Sequence, residues 1–124
     1  MSKIQNLIGI LILFMTVISC DTRITADFEI TNNSEVFIDS LIIEPNVSND
    51  GKFISLNPHE TREYKADMTT VAKVDGSYQI TFQMNKEIKS QDFGYYTNGY
   101  PIEKLTKIEI EKDTLKFDFV FGNY

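Results

Sequence analysis

The segment Arg23–Thr31 reads RITADFEIT, and its apolar residues fall on every second position: Ile24, Ala26, Phe28 and Ile30, against Thr25, Asp27 and Glu29. Period two is the mark of a half-buried strand, because successive side chains of an extended chain point to opposite faces. A helix with 3.6 residues per turn would scatter those four side chains around its axis. The same alternation returns in SYQITFQM, where Tyr78, Ile80, Phe82 and Met84 are expected inward and Gln79, Thr81 and Gln83 outward. It returns again near the C-terminus as a hairpin: TKIEIE, a turn at Lys112-Asp113, then TLKFDFVF with Leu115, Phe117, Phe119 and Phe121 on one face.

Between these anchors the pattern is less regular. Val36–Glu44, VFIDSLIIE, offers apolar residues in both phases. Either that strand is covered on both faces or a bulge near Asp39-Ser40 switches the phase. A short strand is expected around Phe53–Leu56, then a corner at Pro58, which is a poor ladder residue. Arg62, Tyr64, Ala66 and Met68 alternate after it. Turn chemistry marks Asn32-Asn33-Ser34, the run from Pro45 to Gly51, and Asp75-Gly76. Asn85–Pro101 has no clear period and is expected to be largely loop. The spacing predicts about seven strands in an all-β fold: an antiparallel two-sheet β-sandwich, immunoglobulin-like or transthyretin-like, with an open barrel as the alternative, forming a single domain over residues 24–124. The chain has no tryptophan and one cysteine, so the cysteine pair and buried tryptophan of antibody domains are absent.

That single cysteine, Cys20, closes the most apolar segment of the chain and is followed at once by Asp21. Met1–Ser19 has the layout of an export signal: a cation at Lys3, an apolar run from about Leu7 to Ile18, and a small residue before Cys20. Roughly a dozen helical residues cover about 18 Å, well short of a hydrocarbon core of about 30 Å. The run therefore suits cleavage better than spanning. Val17-Ile18-Ser19-Cys20 resembles the lipobox of bacterial lipoproteins, and the chain as a whole resembles the small lipoproteins of Bacteroidota in style. The resemblance implies a signal peptide over 1–19, a diacylglycerol on the Cys20 thiol, an acylated new N-terminus and a short tether over 20–23. It also implies an envelope protein anchored in the inner or outer membrane. Asp21 resembles the residue that retains lipoproteins in the inner membrane of enteric bacteria, a signal that other groups read differently.

Removal of Met1–Ser19 would leave 105 residues, Cys20–Tyr124, which suits one domain with an adequate core. Those residues hold eleven Lys and Arg against eighteen Asp and Glu, a formal charge of −7. Phosphate backbones repel such a surface, so no nucleic-acid partner is expected. Anionic headgroups also repel it, which leaves attachment to the lipid on Cys20. A basic protein partner is compatible with the charge.

No constellation of catalytic residues stands out, and the chain is read as a non-enzyme without metal or dissociable cofactor. Nucleophilic catalysis needs a base beside the nucleophile. His59, the one histidine, sits in the corner LNPHET and is expected to face water. Zinc would then have to rely mostly on carboxylates. NVSNDG places Asn46, Ser48 and Asp50 like half of a calcium loop, but the twelfth position is Asn57 where a bidentate glutamate belongs. Glu109, Glu111 and Asp113 alternate on an outer face beside Lys107, Lys112 and Lys116, the arrangement of a solvated sheet surface. Asp39-Ser40-Leu41 and Asp113-Thr114-Leu115 resemble the O-glycosylation motif of exported Bacteroidota proteins.

The stretch FGYYTNGYP, Phe93–Pro101, is the candidate contact site. Tyr95, Tyr96 and Tyr100, with Phe93, lie among glycines and polar residues, and tyrosine supplies rigid amphipathic contact area at small entropic cost. A protein or glycan partner is the expected ligand; the competing expectation is that the rings close one end of the core. The overall reading is a membrane-anchored, non-catalytic binding or accessory module. The alternative is an envelope inhibitor or immunity protein against a basic enzyme, which requires an acidic patch beside a protruding loop.

Overall fold

The computed structural model describes residues 22–122. The segment read as a signal peptide, the lipobox-like Val17–Cys20 and the expected lipidation at Cys20 lie outside the described residues. Nine strands follow in order: β1 (Thr25–Asn32), β2 (Ile38–Glu44), β3 (Ile54–Leu56), β4 (Thr61–Asp67), β5 (Gly76–Met84), β6 (Glu87–Thr97), β7 (Tyr100–Pro101), β8 (Leu105–Ile110) and β9 (Leu115–Val120). They form two sheets, β4-β1-β8-β9 and β3-β2-β5-β6-β7, that face each other as a sandwich. The first two strands lie in opposite sheets, whereas an immunoglobulin domain keeps its first two together.

The alternation in Arg23–Thr31 is realised in β1: Ala26, Phe28 and Ile30 are buried while Thr25, Asp27 and Glu29 face out or sit at the margin. β5 and β8 follow the same rule. Phe28 is the centre of the core, meeting Tyr64, Tyr78 and Phe93 edge-on at 6.3, 5.3 and 5.8 Å between ring centroids. Such edge-to-face contacts add to the burial of the rings themselves. Phe93 in turn stacks on Phe117 at 4.7 Å, which brings β6 of one sheet over β9 of the other.

Three expectations are corrected. The sheets are not wholly antiparallel, since β1 runs parallel to β8, with Phe28 opposite Thr106 and Ile30 opposite Ile108. Nine strands replace seven because Asn85–Pro101 is not a loop: Asn85 and Lys86, both at positive φ, turn β5 directly into β6, and Asn98-Gly99 turns β6 into β7. Asp75-Gly76 is not a hairpin turn either, because β4 and β5 belong to different sheets. In β2 the register shifts between Asp39 and Ile42, with Ser40 at φ 52°, so Ile38, Leu41 and Ile43 all reach the core. That is the bulge of the two alternatives, and Ile42 on the other face is buried as well.

Two buried polar groups fix the connections. Asn32 ends β1 where the chain crosses between sheets. Its Nδ2 donates to the carbonyls of Val36 (2.7 Å), Leu56 (3.3 Å) and Asn57 (3.2 Å), and its Oδ1 accepts from the amide and hydroxyl of Ser34. Tyr64 pins the loop after β2: its hydroxyl donates to the Lys52 carbonyl at 2.7 Å and accepts from Asn46 Nδ2 at 3.0 Å. Asn46 Oδ1 accepts from the amides of Ser48 and Asp67. The Asn46 side chain, first of the three in the partial calcium-loop pattern, is thus buried and occupied by its own scaffold.

Candidate functional site

One end of the sandwich is where β1 begins. Thr25 pairs with Asp67 at the close of β4, and the Met68 amide donates to the Ile24 carbonyl. β5 starts and β6 closes there too, with Gly76 opposite Tyr96, and β9 finishes opposite the start of β8 at Leu105. β7 touches β1, so the β6–β7 hairpin folds across this end.

FGYYTNGYP builds that hairpin, and the structure divides its four aromatic residues. Two residues of β6, Gly94 and Tyr95, stand against the single Ser77 that separates Gly76 from Tyr78 on β5, and Gly94 in the bulge has φ 61°. The extra residue lets both Phe93 (7% exposed) and Tyr96 (9%) turn into the core. Tyr96 packs on Tyr78 at 5.4 Å. Tyr95 (47%) and Tyr100 (49%) remain on the surface. Phe93 and Tyr96 therefore leave the contact site proposed from sequence, and Tyr95 and Tyr100 define it.

Both surface tyrosines are held in place by the β4–β5 connection. Asp75 is the organiser: Oδ2 accepts from the Tyr95 hydroxyl at 3.0 Å, and Oδ1 accepts from the Thr97 hydroxyl at 3.0 Å and the Asn98 amide at 2.9 Å. Lys73 lies over the Tyr100 ring, with Nζ 4.7 Å from its centroid, and the Gly99 amide donates to the Val74 carbonyl. A Cβ on Gly99 would meet the Ala72 carbonyl at 3.0 Å, and its φ of 72° is open to glycine at no steric cost. The signal for this turn was present in the sequence as Asn-Gly, the strongest short hairpin signal.

Donation from the Asn98 amide, then from Tyr95 and Thr97, lowers the Asp75 pKa below its ordinary 3.8. Donors favour the ionised carboxylate, so the Asp75 bonds support the fold above the ordinary carboxylate pKa and are lost as the pH falls through the lowered one. Asp75→Ala is accordingly expected to melt below the parent protein near neutral pH, with the gap closing in acid. An equal gap at all pH values would refute it. Asp67 at the same end is lowered in the same way, chiefly by the Thr69 side chain and amide. Burial raises the Tyr78 hydroxyl, whose partner is the Met68 sulfur at 3.8 Å.

The remaining residues weighed for chemistry lie elsewhere and apart. His59 is exposed at the opposite end of β1, φ 63°, with Nε2 2.9 Å from Glu35 Oε1. Glu109 stands opposite Lys116 across β8–β9, and Glu111 lies 3.7 Å from Lys116 Nζ. A cleft between the sheets beside Phe82, Lys89, Glu111 and Leu115 holds about 190 Å³, and a second, beside Ser34, Val36, Met84 and Lys112, holds about 320 Å³. Ser40 and Thr114 of the two glycosylation-like tripeptides are exposed. On the outer face of the four-stranded sheet Asp27 pairs with Lys65, and Glu29 lies between Glu63 and Lys107. That face interleaves charges of both signs, unlike the acidic patch an inhibitor of a basic enzyme would need. Comparison with protein-family models, curated proteins and solved structures finds no match to this chain.

Proposed function

We propose that the protein is a lipoprotein of the bacterial cell envelope, a non-catalytic accessory module held to a membrane by lipid on Cys20. The observation that carries this reading is Val17-Ile18-Ser19-Cys20 at the end of a short apolar run, five residues ahead of the first strand. Two or three acyl chains, each contributing about 0.8 kcal/mol per buried methylene, hold a protein durably where one chain does not. The formal charge of −7 supplies no electrostatic attraction to anionic lipid, which makes the acyl chains the anchor.

The domain that follows supports an accessory role. Two of its buried polar side chains, Asn32 and Asn46, are spent on scaffold bonds, and two of its carboxylates, Asp27 and Glu111, lie beside lysines. Tyr95 and Tyr100, braced by Asp75 and Lys73, are the contact surface we assign to it. Expression of the full chain followed by fractionation tests the anchor. Cys20→Ala is expected to move the protein from the membrane fraction to the soluble one, while the parent shows an intact mass of the cleaved, acylated form. Continued membrane retention of the variant, or an unmodified Cys20 in the parent, would overturn the reading.

A further inference from the structure

We propose that the end of the sandwich where β1 begins is a membrane-seating surface, with Val47, Val74, Tyr95, Tyr100 and Phe121 resting in the headgroup layer of the bilayer that holds the lipid. This rests on the lipoprotein reading above and adds an orientation to it. All five side chains are between 43% and 58% exposed. They come from four separate segments: the loop after β2, the β4–β5 connection, the β6–β7 hairpin and the residue after β9. Val47 reaches this end because its amide donates to the Asp67 carbonyl, opposite Thr25. Phe121 reaches it because Val120 pairs with Leu105, one residue ahead of the Thr106 that faces Phe28. Exposed apolar side chains supplied to one end of the fold by four segments make that end a candidate contact surface.

The tether names what covers it. From Cys20 to Thr25 an extended chain spans at most about 17 Å, at 3.3–3.6 Å per residue. The polar layer on one side of a bilayer is about 5–8 Å deep. Acyl chains on Cys20 therefore keep this end within about 10 Å of the headgroup surface, close enough to seat on it. The opposite end, where Ile88 and Phe37 are exposed, lies a full strand of eight residues further, roughly 26 Å. Lying flat would instead press the mixed charges of the outer sheet face, Glu29, Glu63, Lys65 and Lys107, onto the lipid.

The chemistry of the rim suits an interface. Tyrosine is enriched at membrane–water boundaries because its ring partitions inward while its hydroxyl stays hydrated. Here the Tyr95 hydroxyl is already bonded to Asp75, and a cation, Lys73, lies on the Tyr100 ring. Two carboxylates of this end are occupied by donors: Asp67 by the Thr69 amide of its own loop, and Asp75 by Tyr95, Thr97 and Asn98 of the β6–β7 hairpin. The protein's acidic surplus favours zwitterionic over anionic headgroups.

The absence of tryptophan from the sequence makes the test direct. Full-length lipidated protein carrying Val74→Trp, Tyr100→Trp or, as reference, Ile88→Trp is reconstituted into phosphatidylcholine vesicles with and without acyl-brominated lipid. Seating predicts a blue-shifted emission and a loss of intensity in brominated vesicles at positions 74 and 100, with position 88 unaffected. Circular dichroism of each variant establishes that the sheet is intact, and two rim positions guard against one that folds poorly. Lipidated protein whose rim tryptophans are quenched no more than the one at 88 overturns the seating alone, whether the rim stays in water or is covered by a protein. An unmodified Cys20 by intact mass overturns the lipoprotein reading and the seating with it.

Discussion

Replacing Asn32 with leucine, nearly the same size but without its amide, is expected to destabilise the domain by about 3–5 kcal/mol. The side chain is fully buried and makes five hydrogen bonds: three from its amide to the carbonyls of Val36, Leu56 and Asn57, and two accepted from Ser34. Leucine leaves these groups facing hydrocarbon, and each buried group without a partner costs about 1–3 kcal/mol. Backbone bonds at the same point, from the Asn32 amide to Glu60 and the His59 amide to Asn32, tie the crossover to the corner before β4. The loss should therefore be cooperative. Total stability of a domain this size is about 5–15 kcal/mol, so the variant should melt far below the parent. Asn32→Asp sharpens the test, because it keeps the shape and replaces the donor with oxygens aimed at three carbonyls. It should be at least as damaging near neutral pH and recover partly in acid, where the carboxyl regains a proton to donate. A loss of stability under about 1 kcal/mol in both variants, read from denaturant unfolding, would show that the network contributes little.

The contrast between what the sequence disclosed and what it hid is physical. β1, β5 and the β8–β9 hairpin alternate because one face of each meets the core and the other meets water, so their strands and inward residues could be read directly. β6 could not. Its inward positions beyond Phe93 are Gln91 and Lys89, opposite Ile80 and Phe82, where the two sheets part at an open edge and Leu115 is only half covered. A strand that overhangs water on both sides has no apolar period to detect. Its leading turn, Asn85-Lys86, also lacks the glycine that usually betrays positive φ. The parallel pairing of β1 with β8 joins segments nearly eighty residues apart, and no local pattern encodes it. The tyrosine stretch was legible as unusual, but which rings face out depends on a single inserted residue at Gly94. A bulge inverts the face of every side chain beyond it. Without that insertion, Tyr95 would share the inward face with Phe93 and Tyr96 would point to solvent.

The second large effect is expected at Gly76, where β5 begins. Its φ is not in the left-handed region, so conformational strain is not the reason glycine stands there. Space is the reason: a Cβ at this position would lie 2.6 Å from Cζ of Tyr96 and 3.1 Å from its Cε1. Tyr96 is buried against Tyr78 and has little room to withdraw. Gly76→Ala should cost about 1–3 kcal/mol through overpacking, and Gly76→Val should cost more. The mechanism predicts a specific coupling. In a Tyr96→Ala background the obstructing ring is gone, so adding Gly76→Ala should cost little further, and a double-mutant cycle should return most of the single-variant loss as interaction energy. Additive losses would refute the steric account. The same cycle reaches the rim proposed to seat on the membrane, because Tyr96 sits between Tyr95 and the hairpin turn that leads to Tyr100. If Tyr96 is the base on which those two rings are set, Gly76→Ala in the lipidated protein should weaken the quenching of a tryptophan at position 100 while leaving membrane retention through Cys20 unchanged. Equal quenching with and without the substitution would show that the rim is positioned by Asp75 and Lys73 alone.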